Sequence, residues 1–232
     1  MFYLELFREL QKRGVQYVVV GGLAVVLHGY ARATADVDLV LALDETNLAR
    51  FLKTVQTLRL TPSLPMKIEA LCDLAQIDEW VREKHMIAFA LRSPSPTAPT
   101  IDIIVRPKIS FADMYASRVE KTLENVTVQL ASIDDLIVLK TGTGQLEDEY
   151  DVLILTELRK TYEEGDLIAD SFDSDIQRIR DEIRASLNMT DLERLQWFEE
   201  ICVFTKMFRQ APEVVRSEPV KSAPGKSGVD FT

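Results

Sequence analysis

A glycine pair, Gly21-Gly22, closes one apolar run and opens another. Before it, Val15-Gln16-Tyr17-Val18-Val19-Val20 is β-branched and reads as a buried strand. After it, Leu23-Ala24-Val25-Val26-Leu27-His28 reads as a short buried helix. Glycines at such a corner let the backbone turn tightly and let a ligand approach the main chain. The start of the helix offers unpaired N–H groups and a partial positive charge, which suit a phosphate.

A gap of 13 residues then leads to Asp36-Val37-Asp38-Leu39-Val40-Leu41-Ala42-Leu43, a second strand. Alternate residues share a face, so Asp36 and Asp38 point the same way while Val37 and Leu39 enter the core. Two carboxylates this close repel each other unless a cation lies between them. Hard oxygen donors suit magnesium, which takes the rest of its shell from water and substrate phosphates. A third acid, Asp102, sits inside the apolar strand Thr100-Ile101-Asp102-Ile103-Ile104-Val105. Burying it unpaired is costly, and a metal shared with Asp36 and Asp38 would supply the partner. Singly, a glycine pair is a turn, a D-x-D pair is a surface feature and a lone strand aspartate is an edge residue. Their order on these element types points to a nucleotide and metal site.

These residues resemble the nucleotidyltransferase superfamily related to DNA polymerase beta. Its pattern is an apolar strand, Gly-Gly or Gly-Ser, a gap of about ten residues, Asp-x-Asp on a strand, and a third acid on a later strand. His28-Gly29, Arg32 and Thr34 ahead of Asp36 are similar to the subgroup of minimal nucleotidyltransferases and abortive-infection toxins. A second element of that subgroup is matched by Lys140, Asp148 and Asp151, whereas Gln145 and Glu147 stand where relatives carry arginine and lysine. The resemblance covers about residues 1–160.

The resemblance implies transfer of a nucleoside monophosphate from a nucleoside triphosphate to an acceptor, with pyrophosphate released. Magnesium, or manganese in its place, would be held by Asp36, Asp38 and Asp102, the last also serving as general base. Gly21 and Gly22 would cradle phosphate, and Arg32, Thr34 and Lys140 would contact it. For Arg32 and Lys140 a surface or ion-pair role is an equal alternative. Asp148 and Asp151 read first as helix-surface or ion-pair residues, and His28 as a packed or capping one. The acceptor implied is an RNA end, a protein or a small molecule, with a toxin or antitoxin as partner protein. The rival reading is a protein of this fold that binds nucleotide, or acts as an antitoxin, without turnover.

Composition narrows the partners. Of a net charge of −10, residues 147–200 hold 17 acidic and 6 basic side chains, while residues 1–146 are nearly balanced. No large basic block marks a long nucleic acid as the ligand. The amino-terminal stretch has early acids and helical spacing, unlike a signal peptide, and no run is long enough to span a membrane. Cys72 and Cys202 are too few for a disulfide framework or a zinc site, so a cytoplasmic protein with reduced thiols is expected.

Periodicity predicts an α+β architecture: a mixed-sheet catalytic domain over 1–131, a helical subdomain over 132–208 and a flexible tail over 209–232. Helices are expected near 2–13, 46–58, 74–84, 111–116, 133–141, 147–160, 173–187 and 191–208. Residues 119–130 read as a hairpin. Ser132 and Thr190 stand at N-caps, with Asp135 and Glu193 three residues on. Gly225-Lys226-Ser227 is not a phosphate-binding loop, because Val220 replaces the required glycine and no strand precedes it.

Overall fold

A computed structural model describes residues 2–34, 36–164 and 174–210. The expected tail beyond residue 210 and the side chain of Cys202 lie outside the described residues. The architecture is α+β: one mixed sheet followed by C-terminal helices.

The chain runs through α1 (Phe2–Lys12), β1 (Tyr17–Val20), α2 (Gly21–His28), β2 (Asp36–Leu41) and α3 (Glu45–Thr57). It continues through β3 (Thr61–Pro62), a 3-10 turn (Ile68–Cys72), α4 (Leu74–Lys84), β4 (Ala88–Arg92) and β5 (Thr100–Ile104). Then come α5 (Phe111–Ser117), the hairpin β6 (Val119–Leu123) and β7 (Val126–Leu130), and the helices α6 (Ile133–Lys140), α7 (Leu146–Glu164), α8 (Ser174–Leu187) and α9 (Asp191–Gln210). The short β3 has no counterpart in the sequence reading, because Pro62 argues against a strand there. It survives at the sheet edge, where proline is tolerated.

The strand order is β3-β4-β5-β2-β1-β7-β6. The central strands β2 and β5 run parallel, and β1 lies antiparallel to β2. Parity sorts their residues. Tyr17, Val19, Leu39, Leu41, Ile101, Ile103, Phe89 and Leu91 share one face and are buried. The Phe7 ring of α1 stacks on Tyr17 there, with centroids 6.0 Å apart. The opposite face carries Asp36, Asp38, Thr100 and Asp102, all partly exposed. Helix α2 is apolar all round and lies between the sheet and the C-terminal helices, against α6, α7 and α9.

Helix starts follow their capping residues. Asp44 accepts from the Asn47 amide, Ser132 from Asp135, and Thr190 and Glu193 form a reciprocal box. Asn47 does more than join a cap. Its buried amide accepts from Gln16 N–H at 2.7 Å and donates to the carbonyls of Gln16 and Ala42, each at 2.9 Å. It thereby ties the entry of β1 and the exit of β2 to α3. Replacing Asn47 by Ala leaves buried backbone groups unpaired and should cost about 1–3 kcal/mol, read by urea unfolding as a lower midpoint at unchanged slope.

Candidate functional site

Parallel register sets Asp38 directly beside Asp102, and Asp36 beside Thr100. Neighbouring strands lie about 4.8 Å apart, so the three carboxylates share one small area of the sheet. Burial pushes the Asp38 carboxyl up to about 7, and the charges of Asp102 and Asp36 add to it. Lys140 and Arg32 pull the other way. Asp102 is raised to about 6, again by burial first and then by Asp36. One of its oxygens, Oδ1, is buried without a hydrogen-bond partner among the described residues.

This arrangement is short of positive charge and rich in hard oxygen donors, which fits a divalent cation. Among the described residues, no three acidic, histidine or cysteine side chains already converge into a finished metal cage. Magnesium does not need one, since it keeps several waters and draws ligands from substrate phosphates.

The glycine corner lies next to Asp38. Gly21 has φ +66°, and a Cβ there would sit 1.9 Å from Asp38 Oδ2. At Gly22 a Cβ would lie 2.7 Å from Arg32 Nη2 and from Thr34 Oγ1. Gly21 therefore leaves room for an expected metal ligand, and Gly22 for two side chains expected to meet phosphate. No side chain caps the start of α2. At its end, His28 is buried and its Nε2 lies 2.8 Å from the Ala131 carbonyl. Burial lowers its basicity, consistent with a packed histidine rather than one facing the cleft.

The segment between α2 and β2 is held by the C-terminal helices. Tyr162 Oη donates to the His28 carbonyl at 2.6 Å, Tyr30 Oη donates to Glu182 at 2.6 Å, and the Ala31 amide donates to Ser186 at 3.0 Å. Arg32, thus placed, donates to Asp151 at 2.8 Å and pairs with Glu147. Lys140 bridges Asp148 and Asp151, each at 2.7 Å. Asp151 is fully buried beneath the two cations. Burial works to raise the Asp148 carboxyl, but hydrogen bonds from Lys140 and Thr143 and the charges of Lys140 and Arg32 outweigh it and hold it low. The ion-pair alternative for Arg32 and Lys140 is thus realised in this structure, and Glu147 takes part in it. The sequence signal for Glu147 was its acid at a position where relatives carry a lysine.

Asp38, Gly21, Gly22, Arg32, Thr34, Lys140 and Asp148 line one cleft of about 600 Å³. Asp36 and Asp102 stand on the same sheet face without lining it. The cleft lining also has apolar members, among them Val40, Ile87, Ile104, Pro107, Leu136 and Leu139. Sequence reasoning did not single out two further cations on its wall. Arg106 pairs with Asp78, and Lys108 donates to the carbonyls of Leu139 and Thr141. Their signal was an alternation of Arg and Lys just past the Asp102 strand.

Two outcomes follow from this geometry. An acid with a raised folded-state pKa favours the folded state at low pH, and that contribution is lost as pH climbs from about 4 through 7. The metal-free protein should therefore lose melting temperature from pH 5 to 7, and Asp38→Asn should flatten the slope. Magnesium should stabilise the wild type more at pH 8 than at pH 6, which calorimetry in EDTA and in magnesium compares. Gly21→Ala adds backbone strain of about 1–3 kcal/mol at this φ and displaces the Asp38 carboxylate. Its magnesium-dependent stabilisation should vanish in the same measurement.

Residues 3–201 match a family described as a nucleotidyltransferase of unknown function, DUF6036. No curated protein matches the chain. The family match spans most of the sequence and encloses the glycine corner, all three aspartates and the buried ion-pair network, so the chain belongs to this nucleotidyltransferase family.

Proposed function

We propose that the protein transfers a nucleoside monophosphate from a nucleoside triphosphate to an acceptor hydroxyl and releases pyrophosphate, with magnesium, or manganese in its place, as cofactor. The observation that carries this reading is the row of Asp36, Asp38 and Asp102 on one open sheet face beside the Gly21-Gly22 corner.

Asp36 and Asp38 would hold the cation, with Asp102 completing the set. When bound, the cation neutralises charge on the triphosphate and polarises the phosphoryl group under attack. Gly21 and Gly22 receive phosphate oxygens at the uncapped start of α2. Thr34 closes the same corner, and Arg32 and Lys140 face the triphosphate from the other side. Asp102 takes the proton of the acceptor hydroxyl as that oxygen bonds to the α-phosphorus. The bond from the α-phosphorus to the bridging oxygen breaks, and pyrophosphate departs with its electrons.

The test is pyrophosphate release from each of the four nucleoside triphosphates with magnesium. Asp36→Asn and Asp38→Asn should each lower it more than about a hundredfold. Neither should weaken the metal-free fold, because each removes like-charge repulsion. Release that persists in both variants would refute the assignment.

One observation favours a second reading, a nucleotide-binding or antitoxin-like module with little turnover. Every cation lining the cleft already has a protein partner, so a triphosphate must compete with Glu147 and Asp148 for Arg32 and Lys140. Tight nucleotide binding with no pyrophosphate, unchanged by Asp38→Asn, would select it. A place in a toxin–antitoxin or phage-defence pair is supported by the subgroup resemblance. Growth arrest on expression, relieved by Asp38→Asn, would bear it out.

A further inference from the structure

Asp102 stands on the sheet face without lining the cleft that holds Gly21, Gly22, Arg32 and Lys140, so an acceptor can approach it over β5 and the neighbouring β4. That side has its own chemistry. Ala90 is the direct partner of Asp102, and Ala88 is the partner of Ile104. Two alanines beside the aspartate leave a floor without bulk. Residues 88, 90 and 92 point to this open face, while Phe89 and Leu91 are buried on the other.

The register of β4 on β5, continued by one residue, sets Arg92 beside Thr100, in the row that also holds Asp36. Arg92 is exposed, and its guanidinium makes no ion pair or hydrogen bond among the described residues. It lies diagonal to Asp102, about 7–8 Å away by strand geometry. The contrast with the cleft cations is plain: Arg32, Lys140, Arg106 and Lys108 are all engaged, and Arg92 is not.

We propose that Arg92 and Thr100 form the subsite that anchors a phosphate carried by the acceptor, beside the alanine floor on which Asp102 meets the accepting hydroxyl. This rests on the transferase reading above. A planar guanidinium suits a phosphate through paired hydrogen bonds. A single anchoring cation suits a short phosphorylated end rather than a long duplex, in keeping with the absence of a basic block. The phosphate is a diester or a free monoester, and the accepting group is a hydroxyl within roughly a nucleotide's length of it.

The test uses the full chain, magnesium, a labelled nucleoside triphosphate and two probes: a pool of short single-stranded RNAs, and ribose 5-phosphate. Incorporation into the first identifies a diester source and into the second a monoester source. Arg92→Ala should raise the acceptor KM about tenfold while the nucleotide KM and the melting temperature hold, and Arg92→Lys should recover part of the loss. With RNA, the salt dependence should weaken by about one counterion. An unchanged acceptor KM in Arg92→Ala overturns the proposal. A wild type that binds nucleotide through Asp38 yet labels neither probe also overturns it. Loss of Asp38-dependent nucleotide binding itself would instead remove the transferase reading.

Discussion

The parallel pairing of β2 with β5 places two carboxylates side by side in a sheet, where like charges repel. The chain tolerates this because the same strands are anchored on their other face. Val37, Leu39, Ile101 and Ile103 are all fully buried there. Core packing therefore holds Asp38 and Asp102 in a position that electrostatics alone would disfavour. Burial and mutual repulsion raise both carboxyls, and a cation between them would relieve that repulsion. Stability and chemistry meet at this one register: a slip by a single residue would turn the acids into the core.

A second constraint joins distant parts of the chain. Asp151 on α7 lies beneath Arg32, which precedes β2, and Lys140, which ends α6. Ion pairs this buried add little net stability, yet breaking one leaves an uncompensated charge. The network instead fixes where the two cations stand. Tyr30, Ala31 and the His28 carbonyl are held by α7 and α8, so the segment carrying Arg32 and Thr34 depends on the C-terminal helices for its path. The helices thus border the candidate site, although neither the glycine pair nor the three strand aspartates lie on them.

The fold was readable where local signals were strong. The apolar run before Gly21, the alternation around Asp36 and Asp38, and the caps at Ser132 and Thr190 all mark elements that formed. The strand β3 was hidden by Pro62, whose edge placement is decided by partners far away in sequence. In the site, strand parity predicted that Asp36 and Asp38 share a face. That Asp102 lies directly beside Asp38 is a matter of strand order, which periodicity does not encode. The partners of Arg32 and Lys140 were open for the same reason: whether a cation meets a phosphate or a carboxylate depends on how α7 docks. Arg92 stood in an unremarkable strand, and only the register of β4 shows that it shares a face with the acids.

The close fit of Gly21 against Asp38 has a consequence for descent. A side chain at position 21 would occupy the space of the Asp38 carboxylate, so the residue at one position constrains the other. In a lineage that loses Asp38, the steric half of the demand on position 21 lapses. Only the backbone demand at φ +66° remains, and asparagine or aspartate can meet it. A relative with a side chain at 21 should therefore also have changed at 38. Drift at the glycine would then mark family members that have lost the Asp38 carboxylate, visible before any assay is run.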